Sequence, residues 1–167
     1  TLQGTSTLGF EIFNQFNDID NIIMSVGGGG LISGVGAFIK QINPQCKIIG
    51  VEPEGAKGMT DSLINNYPLN KVKINSIADS LCSPLHMPYS FSIAKEVIDD
   101  MVTVKDYQII ESMKFVSKEF KLFLEPACVC GLSALQNSLK NRFANQNTLL
   151  ILCGSNIDYN HWKNLIS

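Results

Sequence analysis

Charge of one sign is what this chain most lacks. Its 13 Lys plus Arg stand against 15 Asp plus Glu, a formal net charge of −2 over 167 residues. Nucleic acid and anionic membrane are thereby poor partners, because both demand a basic surface. No apolar run approaches the roughly 20 residues that span a bilayer, and no charged-then-apolar secretory segment opens the chain. Cysteine lacks order: Cys46, Cys82, Cys128, Cys130 and Cys153 are odd in number and irregular in spacing, which argues against a disulfide framework. Cys128-Val129-Cys130 has no second Cys or His cluster nearby, so zinc is not expected. The thiols point to a reducing, cytoplasmic compartment. Repeats, low-complexity tracts and dividing linkers are missing too, so residues 1–167 read as one unit. At 45% hydrophobic and 17% charged residues, that unit buries a core and is not disordered.

What is present alternates. Residues 5–16 read as an amphipathic helix, with Leu8, Ile12 and Phe16 four apart. The runs 21–26 (NIIMSV), 46–51 (CKIIGV) and 149–153 (LLILC) read as buried strands, and 101–104 is a short β-branched run. Helices are expected over 31–42 (stopped by Pro44), 56–65, 91–99, 106–120, 126–139 with Pro126 in its first turn, and 158–166. The stretch 69–89, with Pro84 and Pro88, reads as loop. Short strands alternating with helices predict an α/β fold, a parallel twisted sheet with helices on both faces. Ligands of such sheets sit beyond the carboxyl ends of the strands. Three places therefore matter: after Val26, after Val51 and around Cys153. The chain opens at Thr1 already inside a helical pattern, so a piece of a longer protein is expected.

Gly27, Gly28, Gly29 and Gly30 lie between a strand and a helix. Without Cβ atoms, this backbone can turn several N–H groups to one point, and the following helix adds its unpaired amides and positive end. The product is a cradle for a phosphate dianion. A merely close-packed turn is the bland alternative, and four ordered glycines are an expensive way to make one. A Walker loop is excluded, since no Lys follows before Lys40. The dinucleotide fingerprint fails as well, because Ser33 and Ile32 stand where its third glycine belongs. Glu52, ending the second strand, does mimic the ribose-binding acid of that fold. An NAD-dependent oxidoreductase therefore stays open as an alternative, beside a phosphate-binding module without chemistry.

Cys153 ends the last strand, Gly154 follows, and Asn156 is placed to bend the chain and cap the final helix. Taken alone, Cys153 reads as a small buried hydrophobe. Seven ordered stretches together say more. Gln3-Gly4-Thr5, Val26 to Gly34, Gly50 to Ala56, Ile77 to Leu81, Val97 to Val104, Lys121 to Pro126 and Cys153 to Asp158 resemble the motifs of the fold type II pyridoxal-phosphate enzymes, serine/threonine dehydratase group. The resemblance implies a tryptophan synthase β-like fold with pyridoxal 5'-phosphate as cofactor. It implies a lyase that turns L-threonine or L-serine into a 2-oxo acid and ammonia by β-elimination, in a homo-oligomer. Gly27 to Gly30 with the amide of Leu31 would hold the cofactor phosphate, Cys153 would face the pyridine nitrogen, and Asn156 would hold the turn beside it.

The resemblance also marks what is absent. The Schiff-base lysine of that family lies in an S-F-K-x-R-G segment, and none of the 12 lysines here sits in such a setting. Residues 1–167 are thus expected to be the C-terminal part of the cofactor-binding large domain, with no catalytic residue of their own, partnered by an N-terminal half. Ser80, Cys128 and Cys130 replace the usual Gly, Gly and Ala. Some relatives hold a divalent cation with the acid matching Glu52, the carbonyl matching Ala56 and an Asp where Gly58 stands, so no metal is expected here. His86 and His161, the two histidines, read as surface or loop. Asp99-Asp100 reads as a solvated helix end.

Overall fold

The computed structural model describes residues 1–167. Its chain order is α1 (Leu2–Gln15), β1 (Asn21–Ser25), α2 (Gly30–Ile42), β2 (Lys47–Pro53), α3 (Gly58–Asn65), α4 (Pro88–Val97), β3 (Asp100–Val104), α5 (Asp106–Phe120), α6 (Cys130–Gln136), β4 (Thr148–Leu150) and α7 (Tyr159–Ile166). All strand pairs are parallel, in the order β3-β2-β1-β4. Alternation along the strands feeds two cores. Ile22, Met24 and Ile48 point to one, closed by Ile12 of α1, Val35 and Ile39 of α2, and Phe91 of α4. Ile23, Ile49 and Val51 point to the other, closed by Ile109 and Met113 of α5, Ala134 of α6 and Trp162 of α7. A strand buried on both faces needs apolar residues at every position, which is why NIIM and IIGV do not alternate.

The α/β expectation holds, with local differences. α4 starts at Pro88, whose fixed φ suits the first turn. α3 starts at Gly58 because the Glu52 side chain receives the amides of Met59 and Thr60. The expected helix over 126–139 opens with a tight turn at Pro126–Val129 and is α-helical only over Cys130–Gln136. β4 stops at Leu150, two residues after it starts, and pairs with β1 alone. Ile151 still donates to Ile23 O at 3.1 Å. By parity, the backbone groups of Thr148, Leu150 and Leu152 face away from β1, toward an open edge. Asp99 and Asp100 are not a solvated helix end. Asp99 accepts the Ile48 amide at 2.8 Å and pairs with Lys40 and Lys47, while Asp100 opens β3 and pairs with Arg142.

His86 corrects the surface reading. It lies in a loop but is 3% exposed, its amide donates to Leu69 O, and Nδ1 has no partner. Burial lowers its pKa from the ordinary 6.5. The folded chain binds that proton less readily than the unfolded one, so as pH falls below 6.5 stability drops. Glu52 runs the other way. Its folded pKa, near 7, lies above the ordinary 4.5, so stability rises as pH falls between those values. Melting temperatures of wild type and His86→Gln, measured from pH 7.5 to 5, separate the two. The variant is expected to rise over wild type progressively below pH 6.5, by several degrees at pH 5. Parallel curves would show that His86 is not held neutral.

Candidate active site

The strand order places the site. From central β1 the chain runs outward through β2 and β3, then returns to β4 on the far side. The loops leaving β1 and β4 therefore diverge, and a crevice opens between them at the carboxyl ends. A cavity of about 260 Å³ lies there. Gly27, Gly28, Gly29, Gly30 and Leu31 form one wall, Cys153 and Glu125 the other, with Ser80 and Leu81 between.

The glycine wall is built for backbone exposure. Gly29 has φ +85°, a left-handed conformation that favours glycine, and a Cβ there would also displace the flexible end of Met59, whose Cε lies at 2.6 Å. At Gly27 a Cβ would press on the Leu81 backbone at 3.1 Å. The N–H groups of the 5 residues Gly27–Leu31 make no hydrogen bond within the chain, while the carbonyls behind them are engaged. Gly29 O receives Ser33 N–H at 3.0 Å, Gly28 O receives Ser90 Oγ at 3.3 Å, and Gly30 O receives Thr5 Oγ1 at 2.9 Å. Donors free and acceptors tied back make an anion cradle at the N-terminus of a 13-residue helix. That donor set fits a phosphate group.

On the opposite wall Cys153 is exposed, not the buried hydrophobe it resembles in isolation. Its thiol is pushed above the ordinary 9.0 by burial of the sulfur and by the nearby Glu125 charge, so it stays a neutral thiol at pH 7. Gly154 follows with φ +127°. Asn156 is exposed and lies outside the cavity wall; its amide donates to Glu125 Oε2 at 2.9 Å. The cap of α7 is Asp158, which accepts from Asn160 and His161, and not Asn156 as expected. Ser25, at the end of β1, also lines the cavity and keeps a buried Oγ without a partner.

Glu125 is the residue that sequence reasoning passed over. It is 8% exposed and touches both Gly154 and, from 31 residues away, Asn156. Only the Glu-Pro dipeptide hinted at it. Cys128 and Cys130 are inert by contrast, buried at 2% and 0%, and burial pushes Cys128 up to about 12 and Cys130 higher still.

Glu52 does not serve a ribose. It is 1% exposed, and its two oxygens accept Met59 N–H, Thr60 N–H and Thr60 Oγ1 at 2.7–2.8 Å. The carboxylate is spent on capping α3, which removes the feature that kept the NAD reading open. A larger hollow of about 510 Å³ lies at the other end of the sheet, between Phe16–Ile19 and Asn147–Leu149. Asp18 is its only titratable residue, and its carboxylate holds the Asn147 side chain, so the chemistry is not there.

Fold and cavity define an α/β protein whose sheet opens, at its switch point, onto a row of free backbone amides at a helix start. A family model described as pyridoxal-phosphate dependent enzyme matches residues 1–154, and the chain belongs to that family, whose cofactor is pyridoxal 5'-phosphate. A phenylserine dehydratase of Ralstonia pickettii is 39% identical over 158 residues, 95% of this chain and 48% of that one. Among solved structures, the processed threonine deaminase isoform 2 of Solanum lycopersicum matches with TM-score 0.90 and 36% identity, over 98% of this chain and 48% of its own. The serine racemase of Dictyostelium discoideum matches with TM-score 0.85 and 31% identity, over 94% and 50%. The architecture is that of the fold type II enzymes. The chain spans about half the length of these relatives, or less for some others.

Proposed function

We propose that this chain is the C-terminal part of the large domain of a pyridoxal-phosphate-dependent ammonia-lyase acting on L-threonine or L-serine in the cytoplasm, as a homo-oligomer. The observation that carries the reading is the row of free N–H groups from Gly27 to Leu31. They would hold the phosphate of the cofactor. Bound there, the cofactor supplies an electron sink to the α-carbon of an amino acid. Cys153, a neutral thiol on the opposite wall, would meet the pyridine nitrogen and, being a weak partner, leave it unprotonated. Asn156 would keep its place in the turn behind Cys153. Dehydratases and deaminases prevail among the relatives, with serine racemases beside them, and this favours elimination as the principal reaction.

No lysine lines the cavity, so the residue that would anchor the cofactor covalently is assigned to the rest of the protein. That part is also assigned to the open edge of β4 and the hollow beside it, where Phe16 stands 53% exposed. No helix is long and apolar enough to cross a membrane.

The test uses the protein in its full encoded length. It is expected to be yellow with bound cofactor, to lose that colour to hydroxylamine, and to release 2-oxo acid and ammonia in equal amounts from L-threonine or L-serine. Interconversion of serine enantiomers without ammonia would make it a racemase. Failure to bind pyridoxal 5'-phosphate, or preferential binding of NAD, would overturn the assignment.

A further inference from the structure

We propose that Glu125 is a positioning residue: it fixes the Cys153–Asn156 turn in place across the cavity from the glycine loop. The catalytic meaning of this rests on the cofactor reading above; the geometry does not. Glu125 grips the turn at both ends. Its backbone N–H donates to Gly154 O at 3.3 Å, and its Oε2 accepts the Asn156 N–H at 2.9 Å. Between these bonds the side chain lies against Gly154. A Cβ at that glycine would meet Oε1 at 2.6 Å and Cδ at 2.9 Å, so the turn admits the carboxyl only because residue 154 has no side chain. The φ of +127° at Gly154 allows the approach.

Glu125 is itself fixed. Its carbonyl receives the Cys128 amide at 3.1 Å, and Pro126 to Val129 pack as a buried tight turn behind it. Leu124, on its other side, is held by the Trp162 indole N–H at 3.1 Å. A buried carboxyl that accepts one amide and faces a thiol also acts on that thiol. Glu125 and Cys128 are the titratable groups facing Cys153, and the Glu125 charge adds to burial in disfavouring the thiolate. One residue thus bears both on where the sulfur stands and, behind burial, on how readily it ionises. Interposing 30 residues between the partners hides this from any local motif.

The experiment reads Cys153 directly, without catalysis. In the full-length protein, the rate of alkylation of Cys153 by iodoacetamide is followed against pH by mass spectrometry of the peptide that carries it. Wild type, Glu125→Gln and Glu125→Asp are compared. Gln keeps an oxygen for the Asn156 amide but loses the charge, so its inflection is expected to fall and its rate at pH 8 to rise about threefold or more, the equivalent of half a pKa unit. Asp keeps the charge but is one methylene short, so the Asn156 amide exchanges faster with solvent and Cys153 is alkylated faster at every pH. A role in stability alone would lower the melting temperature of both variants and leave the inflection where it was. A Gln profile that superimposes on wild type, or an Asn156 amide equally protected in Asp, overturns the proposal. Pyridoxal 5'-phosphate, added as a protecting probe, separates this from the parent reading. If it fails to shield Cys153 in wild type while the Gln shift is present, the cofactor placement falls and the role of Glu125 stands; the reverse pattern removes Glu125 only.

Discussion

Gly28→Asp is expected to weaken binding of pyridoxal 5'-phosphate by at least about 100-fold while the melting temperature changes by no more than about 2 °C. Gly28 is the one glycine of the row where a side chain has room. A Cβ there would meet only Ser83 Oγ at 3.5 Å and Ser83 Cβ at 4.0 Å, ordinary contact distances, and its φ is not in the left-handed region. The fold should therefore tolerate the change. The ligand should not. A carboxylate placed about 4 Å from a phosphate dianion repels it by about 4 kcal/mol per charge pair at the effective dielectric of a protein surface, and 100-fold corresponds to about 2.7 kcal/mol. Gly28→Asn, of equal size and no charge, is the control and should stay within about tenfold of wild type. Titration calorimetry with the cofactor, and with inorganic phosphate, gives the affinities; scanning calorimetry gives the stability. Should Asp and Asn weaken binding equally, shape rather than charge governs the site and the cradle is misassigned.

The second large effect concerns the fold. Gly34→Val should destabilise the chain by about 3 kcal/mol, or about 10 °C in melting temperature. α1 crosses α2 at this glycine. A Cβ would run into Thr5 Oγ1, and would lie 2.6 Å from Leu2 O and 2.9 Å from Thr5 Cβ. All three obstacles belong to main chain or to a stiff β-branched side chain, so α1 must lift away as a unit. Thr5 Oγ1 also holds Gly30 O, which ties the crossing to the end of the glycine loop. Cofactor affinity should therefore fall together with stability, by about tenfold, although Gly34 lies outside the cavity wall. Denaturant unfolding and cofactor titration on the same preparation check both. A loss of stability with unchanged affinity would show that α1 and the cradle are independent.

The alternation of apolar runs and amphipathic stretches made the sheet and its two helical layers legible, because a strand buried on both faces writes itself as an unbroken run. The cradle was legible for a similar reason: NIIMSV, four glycines and then Leu31 place free amides at a helix start by local geometry alone. What was not legible depended on partners distant in the chain. Glu125 reaches a backbone amide, which has no residue type to announce it. Glu52 ends β2 as an acid should in a ribose site, yet the tight turn at Glu54–Ala56 folds α3 back over it and consumes its oxygens. His86 reads as a loop histidine, and it is one; only three-dimensional packing shows that the loop covers it. The early end of β4 leaves no mark in LLILC, whose apolar run continues past Leu150 to Leu152.

The indole bond to Leu124 gives the molecule its own optical reporter. Trp162 is the single tryptophan, 5% exposed, packed against the Phe123 ring and fastened to the residue just before Glu125. Its emission maximum and quenching by iodide will register any loosening of the 123–126 segment, in untagged protein and in real time. Ligand entry, acidification or a neighbouring substitution can each be followed by that one signal.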